Sequence, residues 1–283
     1  MSLGAFVSIV AGLVSLLAAS RAVTLPSTAP ADRIQLVFAL DAAQRSIDDP
    51  AQGAAQLATA GQYEQLATAA MARAPRSVRS SVLAALDRPA AAALRADLEA
   101  AGALGRLAAP RRSTPRWRII APPAADVLRS YFEAAQARFG VPWEYLAAIE
   151  FVETKFGRID GLSTAGAEGP MQFIPATWAR YGAGNVHNPR DAIFGAARYL
   201  TANGAPADMP DALLHYNPSS DYVRAVTDYA GVMRADRRAY YGYYWWQVMY
   251  PLRGRVVILP VGYPKLAPLA LTSPAGHTPP PPA

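Results

Sequence analysis

The chain has 283 residues, of which 27 are basic and 21 acidic, and it contains no cysteine. This length leaves room for a catalytic domain with additional segments, and the lack of cysteine excludes disulfides, thiolate catalysis and cysteine-based metal sites. No basic run is interleaved with aromatic residues, so we expect no nucleic-acid partner. Because the three histidines lack ligand-like spacing, we also expect no metal and no other cofactor.

The chain begins with an apolar run from Leu3 to Ala19, followed by Ser20-Arg-Ala22. The run is slightly short for a membrane span, and the small residues after it suit a cleavage site. Arg21 weakly opposes export. We predict that residues 1–22 are a signal peptide, with a membrane anchor as the alternative. The protein is then exported and extracytoplasmic.

Residues 23–31 have the proline and hydroxyl content of a linker. Residues 32–110 are rich in alanine and carry apolar positions at helical spacing. Breaks at Pro50 and Pro75 divide this region into short helices. It contains no recognisable chemical motif, so we predict a helical region of unknown role, followed by a linker over residues 111–124.

Helical periodicity resumes over residues 125–235, which we predict to be a compact helical domain. A first helix ends at Gly140, and Pro142 is typical of the first turn of the next. Three later helices are expected at about Asp191–Asn203, Met209–Tyr216 and Ser219–Ala235.

The last part of the chain has a strand-like texture. Residues Tyr243 to Tyr250 and Arg255 to Leu259 flank Pro251-Leu-Arg-Gly254, a turn-forming sequence. We predict an aromatic β-hairpin extension over residues 236–270 and a disordered, proline-rich tail over residues 271–283.

The segment with most chemical information is Ile149-Glu-Phe-Val-Glu-Thr-Lys-Phe-Gly157. Glu153 lies near the end of an apolar helix, where loss of solvent should raise the pKa of its carboxyl and let it act as a general acid. An exposed helix-end carboxylate is the ordinary alternative. Glycoside hydrolysis needs a second carboxylate, and the sequence does not single one out among Glu150, Asp160 and Glu168.

Five segments in order resemble the lytic transglycosylases of the soluble, goose-lysozyme-like family. The first is the one ending at Gly157. The others are Ser163-Thr-Ala-Gly-Ala-Glu-Gly-Pro-Met-Gln172, Ile174-Pro-Ala-Thr177, Asn188-Pro-Arg-Asp-Ala-Ile193 with Ala197-Arg-Tyr-Leu200, and His215-Tyr-Asn217. The chain departs from the family pattern at Pro170, where leucine is usual, and at His215, where alanine is usual. The resemblance covers roughly residues 125–235.

The resemblance implies an all-α fold: a lysozyme-like helical catalytic domain, here with an Ala-rich helical N-terminal region and a short C-terminal β-hairpin. It implies cleavage of the β-1,4 bond between N-acetylmuramic acid (MurNAc) and N-acetylglucosamine (GlcNAc), with formation of 1,6-anhydro-MurNAc ends and Glu153 acting as acid and then base. Peptidoglycan glycan strands are the implied partner.

The implied substrate-binding residues are Ser163, Met171, Gln172, Tyr216 and Asn217. Each also has an ordinary structural reading as a loop, core or helix-capping residue. Two other functions stay open: a lysozyme-type hydrolase, in which Asp160 or Glu150 would activate water, and a non-catalytic wall-binding protein.

Overall fold

The structure is a computed structural model and describes residues 32–270. The predicted signal peptide or anchor, the linker up to residue 31 and the proline-rich tail lie outside the described residues. The described part is mainly helical, with a few short strands. Its helices are α1 (Arg33–Asp48), α2 (Ala54–Arg73), α3 (Arg76–Ala85), α4 (Arg88–Leu107), α5 (Ala125–Phe139), α6 (Trp143–Thr154), α7 (Pro175–Tyr181), α8 (Pro189–Ala202), α9 (Met209–Tyr216), α10 (Ser220–Ala235) and α11 (Ala239–Tyr244).

Local sequence explains where most helices begin and end. Asp87 and Asn188 accept hydrogen bonds from backbone N–H groups in the first turns of α4 and α8, each followed by a proline at the start of the helix. Helix α5 ends at Gly140, which adopts a left-handed φ of 76°. The helices predicted at residues 191–203, 209–216 and 219–235 are confirmed to within two residues at each end.

Helix α6 is the central element of the main core. Nearly every residue of α6 is buried, and α5 and α10 pack against it. A helix that is apolar on all sides is stable only inside such a layer of neighbours. Since α6 carries Glu153 at its C-terminal end, the surrounding helices fix where that carboxyl lies.

The N-terminal helices pack directly on the helical domain. Helix α4 runs along α10, and its Ala100 and Ala103 are fully buried in the main core. At one end of this contact the guanidinium of Arg106 donates two hydrogen bonds to Asp221, with Nη2 2.6 Å from Oδ1. Helices α1 and α2 enclose a second core, and α2 also contacts α11. The region predicted to be Ala-rich and helical therefore is helical, and its boundaries and role remain predictions.

The predicted C-terminal hairpin is confirmed, but its first strand begins later than expected. Strands β3 (Val248–Leu252) and β4 (Arg255–Leu259) are antiparallel, and β5 (Leu269–Ala270) pairs with β4. The expectation that the strand begins at Tyr243 is wrong, because α11 extends through Tyr244. Tyr240 lies three and four residues before Tyr243 and Tyr244, and all three rings are buried together. This helical spacing decides the local structure over the strand-like aromatic composition.

Two further short strands, β1 (Arg118–Ile119) and β2 (Ile159–Asp160), pair with each other. Within residues 32–270, no helix combines the length and apolar character that crossing a membrane requires. The predicted fold class is confirmed: a helical, lysozyme-like domain with a helical N-terminal region and small C-terminal strands.

Candidate active site

Helix α6 ends in a left-handed turn directly after the segment that carries Glu153. Lys155, Phe156 and Gly157 have φ values of 54°, 61° and 79°. Only glycine adopts this conformation without cost, so two non-glycine residues here indicate a turn held by its surroundings. Phe156 is fully buried and supplies that anchor. The chain leaves the helix axis at this turn, and Glu153 lies in the last turn of the helix.

Thr154 fastens this turn to the following loop. Its hydroxyl donates a 2.6 Å hydrogen bond to the carbonyl of Pro170 and accepts one of 2.9 Å from the N–H of Gly157. The side chain is fully buried, so neither bond competes with water. The residue next to Glu153 therefore joins the helix end, the turn and the loop into one unit.

Glu153 is half-buried, and among residues 32–270 its side-chain hydrogen-bond partner is the hydroxyl of Tyr222. The Tyr222 hydroxyl donates to Oε1 of Glu153 at 2.8 Å. Burial raises the pKa of Glu153 to about 7, against opposing contributions from the Tyr222 hydrogen bond and the charge of Lys155. A carboxyl with this pKa can be protonated or ionised near neutral pH, as a group that donates and then accepts a proton must be.

A second tyrosine lies directly beside Tyr222. The rings of Tyr216 and Tyr222 are parallel within 5°, with centroids 6.4 Å apart. The Tyr216 hydroxyl donates to the backbone carbonyl of Met171 at 2.7 Å. Helices α9 and α10 and the 163–173 loop thus meet around Glu153 through these two phenols.

The loop over residues 163–173 is held by its own hydrogen bonds. Oγ of Ser163 accepts from the N–H groups of Ala165 and Ala167, at 3.2 and 3.0 Å. Gln172 has a φ of 50°, and its side-chain amide donates to the carbonyl of Gly169 at 3.0 Å. Gly169 has a φ of 75°, and a Cβ there would lie 2.2 Å from the carbonyl oxygen of Val186. The loop shape therefore depends on this glycine.

The predicted site residues occupy different positions in this arrangement. Tyr216 stacks beside Tyr222, which is bonded to Glu153. The side chain of Met171 is fully buried, so its backbone carbonyl is the part of this residue that contacts Tyr216. The side chains of Ser163 and Gln172 are bonded within their own loop. Asn217 ends α9, and its N–H donates to the carbonyl of Leu213 at 2.9 Å.

Tyr222, whose hydroxyl is hydrogen-bonded to Glu153, was not predicted from the sequence. It lies in the first turn of α10, on the same buried face as Ala225 and Val226. An aromatic residue in that pattern has the spacing of an ordinary core residue. Only the folded arrangement, which brings α10 against α6, distinguishes it.

The other three carboxyls that the sequence offers differ in their surroundings from Glu153. Both oxygens of Glu150 are buried without a hydrogen-bond partner among the described residues, and this burial raises its pKa to about 8. Asp160 forms an ion pair with Arg118 across the β1–β2 pair, and Glu168 lies 3.3 Å from Nε2 of His187. Over residues 32–270, no three or more His, Cys, Asp or Glu side chains are grouped so that they could hold a metal ion.

Comparison with known proteins shows what this region is similar to. Residues 130–233 match the family model of the transglycosylase SLT domain. A segment of 73 residues is 38% identical to membrane-bound lytic murein transglycosylase F of Thiobacillus denitrificans, and covers 26% of this chain and 15% of that protein. An equally long segment is 36% identical to membrane-bound lytic murein transglycosylase F 1 of Alkalilimnicola ehrlichii, with the same coverage. No solved structure matches the chain.

The SLT domain includes Glu153, the 163–173 loop and both tyrosines. The matched segment spans about one seventh of the curated relatives, at 15% of their length. The N-terminal helices, the segment around β1 and the C-terminal strands lie outside the SLT match. The similarity to known proteins therefore covers the helices that surround Glu153.

Proposed function

We propose that this protein is a lytic transglycosylase that cleaves the β-1,4 bond between MurNAc and GlcNAc in peptidoglycan and leaves a 1,6-anhydro-MurNAc end. The observation that carries the proposal is a single half-buried carboxyl, Glu153, whose pKa is raised to about 7 and which is held by the hydroxyl of Tyr222. The names of the two relatives, both lytic murein transglycosylases, support the same substrate.

In the first step, Glu153 acts as a general acid. Its protonated carboxyl donates a proton to the glycosidic oxygen, and the bond from that oxygen to C1 of MurNAc breaks. GlcNAc leaves with a free 4-hydroxyl. The newly formed carboxylate is stabilised by the hydrogen bond that Tyr222 already donates to it, because such a bond favours the charged form.

In the second step, the same carboxylate acts as a base. It accepts the proton of the C6 hydroxyl of MurNAc while the C6 oxygen bonds to C1, which closes the 1,6-anhydro ring. The proton that Glu153 gave up is thereby returned, and no water is consumed. One carboxyl is sufficient, whereas hydrolysis requires a second carboxylate to activate water or to form a covalent intermediate.

The neighbouring residues have supporting roles in this proposal. Tyr216 and Asn217 bind the glycan beside Glu153, together with the main chain at Met171 and with Ser163 and Gln172 of the same loop. Thr154 keeps loop and helix end in register through its bond to Pro170. Because the substrate lies outside the cytoplasm, we propose that the protein is exported, either secreted or anchored at its N-terminus.

Digestion of purified peptidoglycan with the full chain, in the presence of a chelator, tests the proposal. We expect soluble fragments whose MurNAc ends are lighter than hydrolysed ends by the mass of one water. Fragments with hydrolysed ends would indicate the lysozyme-type reaction instead. Sedimentation of the protein with intact wall, without release of fragments, would indicate a non-catalytic wall-binding protein, and loss of activity with the chelator would contradict a metal-free mechanism.

A further inference from the structure

A cleft of about 740 Å³ opens beside the catalytic helix, and Glu153 does not line it. Its size is within the usual range for binding sites of small molecules. One wall is the turn and loop after α6, which belong to the SLT match. The other wall is formed by residues 118–123, which precede that match. The cleft is therefore shaped by a segment that the matched family region does not contain.

Thr154 connects the lining of the cleft to the helix end that carries Glu153. Gly157 and Pro170 both line the cleft, and both are hydrogen-bonded to the hydroxyl of Thr154. Thr154 follows Glu153 directly in the chain. Two residues of the cleft lining are therefore bonded to the residue next to Glu153.

The wall over residues 118–123 is firmly built. Ile119 lies between two partners: it pairs with Ile159 of β2, and its N–H and carbonyl bond to Tyr263 and Gly262 at 3.0 and 2.8 Å. At the next residue, the N–H of Ile120 donates to the carbonyl of Arg158 at 3.0 Å. Trp117 packs on Gly161, where a Cβ would lie 2.4 Å from the indole ring. A cleft with both walls fixed by main-chain bonds is preformed for a ligand.

The lining combines apolar surface with polar and charged groups. Small and apolar surface comes from Ile120, Pro122, Pro123, Ile159 and Pro170. Arg118 forms an ion pair with Asp160, and Nε2 of His187 lies 3.3 Å from a carboxyl oxygen of Glu168. The side chains of Arg118 and His187 are 71% and 56% exposed, so both remain accessible to a ligand.

This chemistry favours a short peptide over a sugar chain. Sugar rings commonly pack on aromatic faces, and no Phe, Tyr or Trp is among the described residues that line the cleft. An extended peptide with alanine methyls, carboxylates and an ammonium group matches a lining that offers apolar surface, the guanidinium of Arg118 and the carboxyls of Asp160 and Glu168. The peptide stem that MurNAc carries on its lactyl group has this composition.

We propose that the cleft between residues 118–123 and the 157–170 turn and loop binds the peptide stem of peptidoglycan. The proposal rests on the proposed function, since the stem lies next to the bond that Glu153 would cleave. It makes the segment around β1 a determinant of substrate specificity. Stem-bearing glycan is then bound more tightly than glycan without stems.

The test uses the full chain and a variant that fills the cleft. Ala121 is exposed and lines the cleft, so Ala121→Trp occupies the space without disturbing the core. Ala84→Trp, at an exposed position of α3 that does not line the cleft, is the matched control. The ligand is the free stem tetrapeptide, released from purified wall by an amidase, and binding is measured by titration calorimetry.

We expect Ala121→Trp to weaken peptide binding about tenfold or more, because filling the pocket displaces the ligand, and Ala84→Trp to leave it unchanged. Arg118→Gln should also weaken binding, since it leaves Asp160 to repel the stem carboxylates. Arg45→Gln, which removes another exposed ion pair, is the control for it. Peptide affinity within twofold of wild type in both cleft variants overturns the proposal.

Kinetics on two wall substrates separate this proposal from the proposed function. On stem-bearing glycan, Ala121→Trp should raise KM about tenfold with little change in kcat, and on amidase-stripped glycan KM should be unchanged. An equal rise on both substrates would assign the cleft to glycan and overturn the peptide assignment. If wild type releases no anhydro fragments from either substrate, the proposed function fails, while the peptide titration still decides whether the cleft binds the stem.

Discussion

Two acid–phenol pairs in this molecule have the same chemistry and very different surroundings. At the candidate active site, Tyr222 donates to Glu153 at 2.8 Å. Where α4 meets α11, Tyr243 donates to Asp97 at 2.5 Å. Burial raises the pKa of each carboxyl to about 7.

The two carboxyls differ in their access to solvent. Glu153 is half-buried at the end of a helix, whereas Asp97 is only 4% exposed and is enclosed by packed helices. A raised pKa therefore identifies a candidate catalytic acid only when the group can also reach a substrate. Asp97 fastens the N-terminal helices to the rest of the protein.

The two pairs are connected through α6. The ring of Tyr243 stacks on Phe151 with centroids 5.1 Å apart, and Phe151 precedes Glu153 by two residues on the same helix. Nearby, the indole N–H of Trp246 donates to Oε2 of Glu64 on α2 at 2.9 Å. The N-terminal helices and the C-terminal aromatic residues thus contact each other, and Tyr243 packs on the helix that carries Glu153.

The largest effect is expected from truncation after Ala235, which removes the interface pair and keeps the catalytic one. Tyr240 and Tyr243 are at most 1% exposed in the main core. Loss of one large buried aromatic side chain costs about 3–5 kcal/mol, and a typical domain has a total stability of only about 5–15 kcal/mol. We expect the truncated chain to lose its cooperative thermal transition in circular dichroism. An unchanged melting temperature with weaker glycan binding would instead indicate that the aromatic segment is a sugar-binding platform.

The next effect concerns the catalytic pair alone. Glu153→Gln removes the proton donor and keeps an oxygen that can accept from Tyr222. General acid–base catalysis contributes about 10²–10⁴-fold, and one group serves both steps, so we expect the digestion rate to fall by at least that factor. Glu150→Gln, one turn earlier on α6, is the control and should stay within about threefold of wild type. If Glu153→Gln also stays within about threefold, the acid is wrongly assigned.

The sequence could predict those features of the fold and the site that depend on residues close together in the chain. The position of Glu153 on a helix end and the helix boundaries depend on residues close in sequence, such as Gly140 and Asn188. The pairing of Tyr222 with Glu153, 69 residues apart, and of Tyr243 with Asp97 depends on helix packing. Both tyrosines look like core residues in the sequence, and in that respect the sequence is right. Their hydrogen bonds to carboxyls appear only in the fold.

The strand predicted from Tyr243 failed for a related reason. The run from Tyr243 to Trp246 is aromatic at every position, so it has no period of its own and fits a strand or a helix equally. The core decides between them, because Tyr240, Tyr243 and Tyr244 fill neighbouring space only on a helix. The cleft wall over residues 118–123 was not predicted either, since these residues have the composition of a linker.

The third prediction tests the interface pair through pH. The pKa of Asp97 is about 7 in the fold and 3.8 when unperturbed, chiefly because of burial. The folded state holds this proton to higher pH than the unfolded state does. The contribution to stability is therefore full below about pH 4 and is lost as pH rises through 7.

For Asp97 the loss in unfolding free energy between pH 5 and 8 should be on the order of 1–3 kcal/mol. Denaturant titrations at both pH values measure it. Asp97→Asn keeps an acceptor for Tyr243 and removes the titration, so its stability should vary less with pH. Asp41→Asn, on the exposed side of α1, should keep the wild-type pH dependence. If the unfolding free energy changed equally with pH in wild type and in Asp97→Asn, Asp97 would not be protonated in the folded protein.

The smallest expected effect comes from removing the phenol of the catalytic pair. The hydrogen bond from Tyr222 lowers the pKa of Glu153 against the effect of burial, so Tyr222→Phe should raise that pKa. Wild-type activity should fall as pH rises through about 7, when the acid loses its proton. In Tyr222→Phe this alkaline limb should move to higher pH. The maximum rate should fall about tenfold, because a hydrogen bond to a charged group contributes about 1.5–3 kcal/mol and the carboxylate formed in the first step loses it.

Tyr216→Phe is the matched control for this change. Its hydroxyl donates to the carbonyl of Met171 and not to Glu153, so its removal can weaken glycan binding but should leave the alkaline limb in place. Rates of wall digestion from pH 5 to 9 for the three proteins decide between the outcomes. A limb that shifts equally in both variants, or in neither, would mean that Tyr222 does not set the proton affinity of Glu153. The two acid–phenol pairs would then differ in chemistry as well as in access.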